Sequence, residues 1–243
     1  MNQILIYGGI SGLSLIVGAL VGIVFKLKQK TIAGLMAFGA GVLICALTFG
    51  LMEEAFRHGG FNATILGFLL GGLVFIAGDY LIHVSGGRKH KRHQLLHSKD
   101  EPTGKIITLG AILDGIPEAM ALGVALLSSQ SRGILIMVAI VLNNLPESIS
   151  SISGLKKEGF KNWKILAVWG ITAVAVFITA LLSFIFLRDI NQNTLGIIES
   201  FAAGAILAMV ADSMMPEAYE EGGFGIAALT ILGFLTAFII SRV

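Results

Sequence analysis

Charge is what this chain has least of. Asp, Glu, Lys and Arg make up 13% of its 243 residues, where a soluble domain carries about 25%. Hydrophobic residues make up 55%. Too few polar side chains remain to cover a water-soluble fold, so the chain reads as an integral membrane protein. Cysteine is nearly absent. The single Cys45 excludes an internal disulfide, and its apolar surroundings mark it as packing rather than chemistry. No Gly-x-x-x-x-Gly-Lys-Ser/Thr loop occurs, so nothing points to an ATP-binding module. Nothing points to nucleic acid either. The opening Met1-Asn2-Gln3 has no basic leader and enters an apolar run too long for a signal-peptide core. A first span, not a cleaved signal, is expected there.

What the chain has in plenty is long apolar stretches. A helical span needs about 20 such residues. Eight stretches qualify, at roughly 4–25, 32–55, 62–84, 105–128, 132–154, 163–187, 194–215 and 222–241. The expected fold is therefore an all-α polytopic membrane protein of eight transmembrane helices. The 31 glycines suit close packing of membrane helices. Lysine and arginine orient the bundle. Thirteen of the 17 basic residues fall in three alternate linkers, around Lys26–Lys30, Arg88–Lys105 and Lys156–Lys164, and the others are Arg57, Arg132, Arg188 and Arg242. Basic linkers favour the cytoplasmic face. Both termini are thus expected outside a plasma or inner membrane, with the long linker inside.

The sequence repeats itself. Residues 38–61 match residues 201–224 at a constant offset of 163, with nine identities: Phe38, Ala40, Gly41, Met52, Glu54, Ala55, Gly59, Gly60 and Phe61 and their counterparts. The offset equates the second span with the seventh, which cross in opposite senses, so the repeat is inverted. A bundle of three, two and three helices follows. Residues 1–84 form one repeat, 85–104 a cytoplasmic linker, 105–155 a central pair and 162–243 the second repeat.

The central pair carries the chemistry. One span reads Asp114-Gly115-Ile116-Pro117-Glu118 and the next Asn143-Asn144-Leu145-Pro146-Glu147. A carboxylate at bilayer depth is costly and marks function by default. Residues i and i+4 share a helical face, which puts Asp114 beside Glu118 and Asn143 beside Glu147. Each proline removes a backbone donor and frees the carbonyl four residues back, at Leu113 and Leu142. All five polar side chains are oxygen donors suited to a divalent cation. The plainer alternative is a buried hydrogen-bonded pair that locks two helices together. A second set, Asp79, His83 and Asp212, lies near the basic ends of the third and seventh spans. It fits either an exit site for a cation or span-end groups reaching water. Glu54 and Glu217 hold matching repeat positions at span ends, where solvated roles are expected. The linker run Arg88-Lys89-His90-Lys91-Arg92-His93, with His97 beyond, is expected to be a solvated basic segment near anionic lipid, because its many cations repel a metal.

These paired motifs resemble those of the ZIP (Zrt/Irt-like) family of divalent metal transporters. The resemblance implies eight spans, outward termini and a variable inner loop between spans three and four. It equates Asp114 with a histidine of the family motif, Gly115 with an asparagine, and Glu118 and Glu147 with its two glutamates. Asn143 and Asn144 take the two polar positions of span five, while Asp79, His83 and Asp212 fall where inner ligands are placed. Ser213 replaces a common glutamate. The span-six segment Gly170-Ile171-Thr172-Ala173-Val174 lacks the family's carboxylate. These departures favour one cation over a two-metal centre and relax the preference for Zn²⁺ over Mn²⁺ or Fe²⁺.

The function expected is transport of Zn²⁺, Mn²⁺ or Fe²⁺ into the cytoplasm by a protein that is not an enzyme. The metal is cargo and not a cofactor. The bilayer is the other partner, and a homodimer is one assembly this allows. Two rivals stand beside it. One is a membrane-embedded metal-dependent hydrolase, for which Ser148, Ser150 and Ser151 are the nearby nucleophiles. The other is a metal sensor or scaffold that transports nothing.

Overall fold

A chain in hydrocarbon must satisfy its backbone within helices, and this one does. The computed structural model describes residues 1–25, 27–85 and 104–242. The histidine-bearing linker, from Arg88 through His97, lies outside them. Among the described residues the elements are α1 (Asn2–Val24), α2 (Gln29–Ala46), α3 (Glu53–Ser85), α4 (Gly104–Ser128), α5 (Gln130–Lys157), α6 (Asn162–Phe186), α7 (Gln192–Met209), α8 (Met215–Gly222) and α9 (Ile226–Ile240). Wider π-helical turns join α2 to α3 at Leu47–Met52 and α7 to α8 at Val210–Met214. No strand occurs among the described residues.

Six helices are long and apolar enough to cross a membrane, against the eight stretches expected. The difference lies in two of them. Gln29–Ile82 runs for 54 residues and Gln192–Ile240 for 49, and each takes in two of the expected stretches. Each contains a glycine in a conformation closed to other residues: Gly60 at φ 67°, ψ −170° and Gly223 at φ 70°, ψ −147°.

Close approaches at glycine give the helix directions. Gly18 lies beside Leu145 and Gly22 beside Ile149, so α1 runs parallel to α5. Gly115 beside Val176 and Gly123 beside Ala180 make α4 parallel to α6. Gly59 beside Gly196 and Gly72 beside Gly204 make α3 parallel to α7, and Gly34 beside Leu229 with Phe38 beside Gly233 make α2 parallel to α9. In contrast, Gly8 beside Ala180 and Gly12 beside Ala173 set α1 against α6, and Gly39 beside Leu142 with Gly50 beside Ile136 set α2 against α5. Gly78 of α3 meets Leu113 of α4, and Ser128 at the end of α4 reaches Glu199 of α7. Followed through these contacts, α2 and α3 run in opposite directions, as do α7 and α9. One group of helices is α1, α4, α5 and α6; beside it lie the pairs α2 with α9 and α3 with α7, linked to each other through the two π turns, with α2 packing on α5 and α4 on α7.

Features of the backbone recur at the offset of the sequence repeat. The π turns begin at Leu47 and Val210, and the two positive-φ glycines are Gly60 and Gly223, both 163 residues apart. A methyl group on Gly41 would overlap the Thr230 carbonyl, and one on Gly204, 163 residues on, would overlap that of Phe68. The α3–α7 contact of one half is thus matched by the α9–α2 contact of the other. Basic residues also segregate. Lys156 Nζ donates to the Ile23 carbonyl at 3.3 Å, so the α1–α2 and α5–α6 turns share one end. Arg57 and Arg132 share the other.

If the conformation at Gly60 and Gly223 is what lets the chain turn, Gly60→Ala and Gly223→Ala should each lower stability by about 1–3 kcal/mol. Thermal unfolding of the purified chain in detergent measures this. Unchanged midpoints would remove both glycines from the turns.

Candidate metal site

The two Pro-Glu motifs face each other in the interior. α4 and α5 both continue as helix through their prolines, Pro117 and Pro146. The Asn143 amide Nδ2 donates to Glu118 Oε1 at 2.6 Å, fully inside the protein. This bond joins the motif of α4 to that of α5. Glu118 is 1% exposed, and Asp114, Asn143, Asn144 and Glu147 are also buried. Gly39 of α2 lets its backbone reach the freed carbonyl, since a methyl there would stand 3.1 Å from Leu142 O.

Asn144 is engaged differently from its neighbour. Its amide donates to the Ser11 carbonyl at 2.9 Å and to Ser14 Oγ at 3.1 Å, which ties α5 to α1. The serines after Glu147 also turn inward. Ser148 Oγ donates to Asn144 O at 2.8 Å, Ser151 Oγ to Ser148 O at 2.8 Å, and Trp169 Nε1 to Ser151 Oγ at 3.2 Å. Hydroxyls held this way are not poised as nucleophiles. From α6, Val176 meets Gly115, and the buried Thr172 hydroxyl is bonded to Val168 O at 3.1 Å. α6 thus brings no carboxylate to this face. Among the described residues no group of three or more His, Cys, Asp and Glu side chains is assembled that could hold a metal ion. A carboxylate and an amide, Glu118 and Asn143, meet directly.

The second set is dispersed. Asp79 is buried in α3, while Asp212 is exposed within the Val210–Met214 turn. The parallel register of α3 on α7 brings these two to a similar level. The side chain of His83 lies outside the described residues.

The model of the ZIP zinc transporter family matches residues 83–241. That stretch covers more than half of the chain and includes both motifs. The chain belongs to the ZIP zinc transporter family. It is similar to an Arabidopsis thaliana protein provisionally named a zinc transporter, at 26% identity over 186 residues, which cover 75% of this chain and 29% of that protein. It is also similar to the zinc transporter ZIP9 of Micropogonias undulatus, at 28% identity over 144 residues, 54% of this chain and 46% of that one. The ZIP chain spans less than half the length of either relative. The family is one of transporters, not enzymes.

This ZIP chain holds a second polar cluster that the sequence reading missed. Glu54, expected to be solvated, is buried. Its Oε1 pairs with Arg132 at 2.6 Å and with Arg57 at 3.4 Å. His58 Nδ1 lies 2.8 Å from Glu199 Oε2, and Ser128 Oγ donates to Glu199 Oε1 at 3.1 Å. The helix pattern put Glu54 at a span end, where water satisfies charge. The packing of α4, α5 and α7 over that end removes the water. The available signal was Glu199, an acid set between the apolar residues Leu195–Ile198 and Phe201–Ala203.

Loss of the amide should be felt at once. Asn143→Ala removes the hydrogen bond to Glu118 Oε1 and should cost about 1.5–3 kcal/mol. The thermal midpoint of the purified variant checks this. A midpoint equal to that of wild type would show that the bond does not hold α4 to α5.

Proposed function

We propose that this ZIP chain carries one divalent cation, Zn²⁺, Mn²⁺ or Fe²⁺, through the membrane into the cytoplasm. The bond between Asn143 and Glu118 is the observation that supports this most. It links two motifs rich in oxygen donors, on separate helices, at a depth where a carboxylate needs a counter-charge. The cation takes the place of the amide hydrogens. Glu118 and the Asn143 carbonyl oxygen then face the metal, with Glu147 and Asp114 on the same two helices completing the set. Asn144 contributes less, because its amide is occupied by α1. Asp79, His83 and Asp212 receive the ion on its way out. The metal is substrate throughout, not cofactor.

The passage alternates between the two faces as the set α1, α4, α5 and α6 moves against the set α2, α3, α7 and α9. Residues 1–84 and 162–243 act as two inverted three-helix repeats around the central pair 105–155, giving eight crossings, with linker 85–104 inside. The gathering of basic turns at one end favours that end as cytoplasmic, and so both termini outside.

Metal uptake into proteoliposomes tests the site. Glu118→Ala and Glu147→Ala should each abolish protein-dependent flux, while the variants still insert and fold. Wild-type flux in the double variant, at equal incorporation, would remove the site. The orientation has its own measurement. In a Cys45-free background, Gln130→Cys should react with an impermeant thiol reagent on intact cells and Asn162→Cys should not; the reverse pattern overturns the direction of transport. Selectivity depends on Asp114. Asp114→His should raise the ratio of Zn²⁺ to Mn²⁺ uptake, because imidazole suits the first and carboxylate the second. A constant ratio would show that Asp114 is not a ligand.

A further inference from the structure

The cluster of Glu54, His58, Arg132, Ser128 and Glu199 has no role in the cargo site proposed above, yet two of its acids, Glu54 and Glu199, are buried. It sits at the end of the bundle opposite the lysine-rich turns. Its members come from both helix sets. Glu54 and His58 belong to α3 and Glu199 to α7; Ser128 ends α4 and Arg132 opens α5.

The charges of the buried members do not balance. Glu54 and Glu199, with side chains 7% and 1% exposed, bring two negative charges, and Arg132 brings one positive. Arg57 is 59% exposed, and its shorter contact, at 2.7 Å, is with Glu53 rather than with Glu54. One negative charge is left uncompensated where burial makes that costly. A proton is the smallest ligand that restores balance. His58 is placed to carry it, with Nδ1 2.8 Å from Glu199 Oε2 and Nε2 3.9 Å from Glu54 Oε2. An imidazolium there donates toward both carboxylates. Among the described residues, the titratable and charged groups around it are Glu54, Arg57 and Glu53 from α3, Arg132 from α5 and Glu199 from α7; α4 contributes the Ser128 hydroxyl.

We propose that Glu54, His58 and Glu199 form a proton-binding site that latches the α4–α5 turn to α3 and α7, and that loss of the proton opens the latch. With the proton bound, Glu199 holds His58 on one oxygen and Ser128 on the other, while Glu54 holds Arg132. Once the proton leaves, Glu199 carries a charge that nothing nearby offsets, and Glu54 and Glu199 repel each other. The α4–α5 turn is tied to both acids, by Ser128 to Glu199 and by Arg132 to Glu54, so as the acids move apart it cannot keep both contacts. The consequence for flux rests on the transport function proposed above; the proton site itself does not.

Spin labels at Ser131 and Asn193, in the full chain with Cys45→Ala, report the separation of the two sides in phosphatidylcholine vesicles. Raising the pH from about 5.5 to about 8.5, across the range in which histidine titrates, should increase the separated population about fivefold or more. His58→Gln keeps a donor for Glu199 but does not titrate, and should abolish the change. Glu199→Gln removes the charge and should stay latched at both pH values. A wild-type distribution that does not respond to pH overturns the proposal, as does an undiminished response in His58→Gln. The wild-type measurement decides even where a variant fails to insert. Metal flux in the same vesicles separates the two inferences. A pH-dependent separation without flux keeps the proton site and overturns transport; flux with a fixed separation does the opposite.

Discussion

Helices surrounded by lipid gain no hydrophobic energy from meeting one another, so van der Waals contact and interhelical hydrogen bonds must hold the bundle. Both need backbones that approach closely. In this protein the approach is made at glycines: Gly18 and Gly22 for α1 on α5, Gly115 and Gly123 for α4 on α6, Gly72 and Gly204 for α3 on α7. The polar contacts between helices depend on that proximity. The Asn144 amide reaches the Ser11 carbonyl at 2.9 Å because Gly18 lets α1 lie against Leu145 and Ser148. Likewise, Glu199 can meet His58 because Gly59 and Gly196 bring the α2–α3 turn onto the start of α7. Small residues set the distances, and the polar residues use them.

Much of this was legible in the sequence. The Pro-Glu pairs stand out because proline and a carboxylate are each rare in an apolar span; their spacing put Asp114 beside Glu118 and Asn143 beside Glu147, whereas the 2.6 Å bond between helices joins Asn143 to Glu118. The repeat was legible through identities such as Gly60 with Gly223, because a backbone that must turn there tolerates only glycine. The number of separate helices was less legible. Periodicity breaks at Gly59-Gly60 and at Gly222-Gly223, but the helical hydrogen bonding runs almost through both places.

What the sequence could not record has one physical reason. Glu54 looks solvated from its position along a helix, and Asn143 and Asn144 look equivalent from their neighbours. What separates them is contact between distant segments. Arg132 and Glu199 come from 78 and 145 positions beyond Glu54, and α1 takes Asn144 while α4 takes Asn143. A pattern within one helix has no means of recording which neighbour will arrive on which face. Such contacts are also where bundles of one family can differ while keeping their spans.

The two π turns share a backbone form but not a content. In the Val210–Met214 turn the middle position is Asp212, an exposed acid; 163 residues earlier, in Leu47–Met52, it is Phe49. Phe49 packs against Phe234 and Phe238, and the Arg242 guanidinium lies 5.5 Å from its ring centre. A scaffold whose halves mirror each other would, with identical side chains, offer an ion the same landscape from either side. Here one turn carries an exposed acid and the other an aromatic ring beside a guanidinium. The mirrored backbone therefore does not carry mirrored charge: the two ends of the repeat differ in electrostatics while sharing one fold.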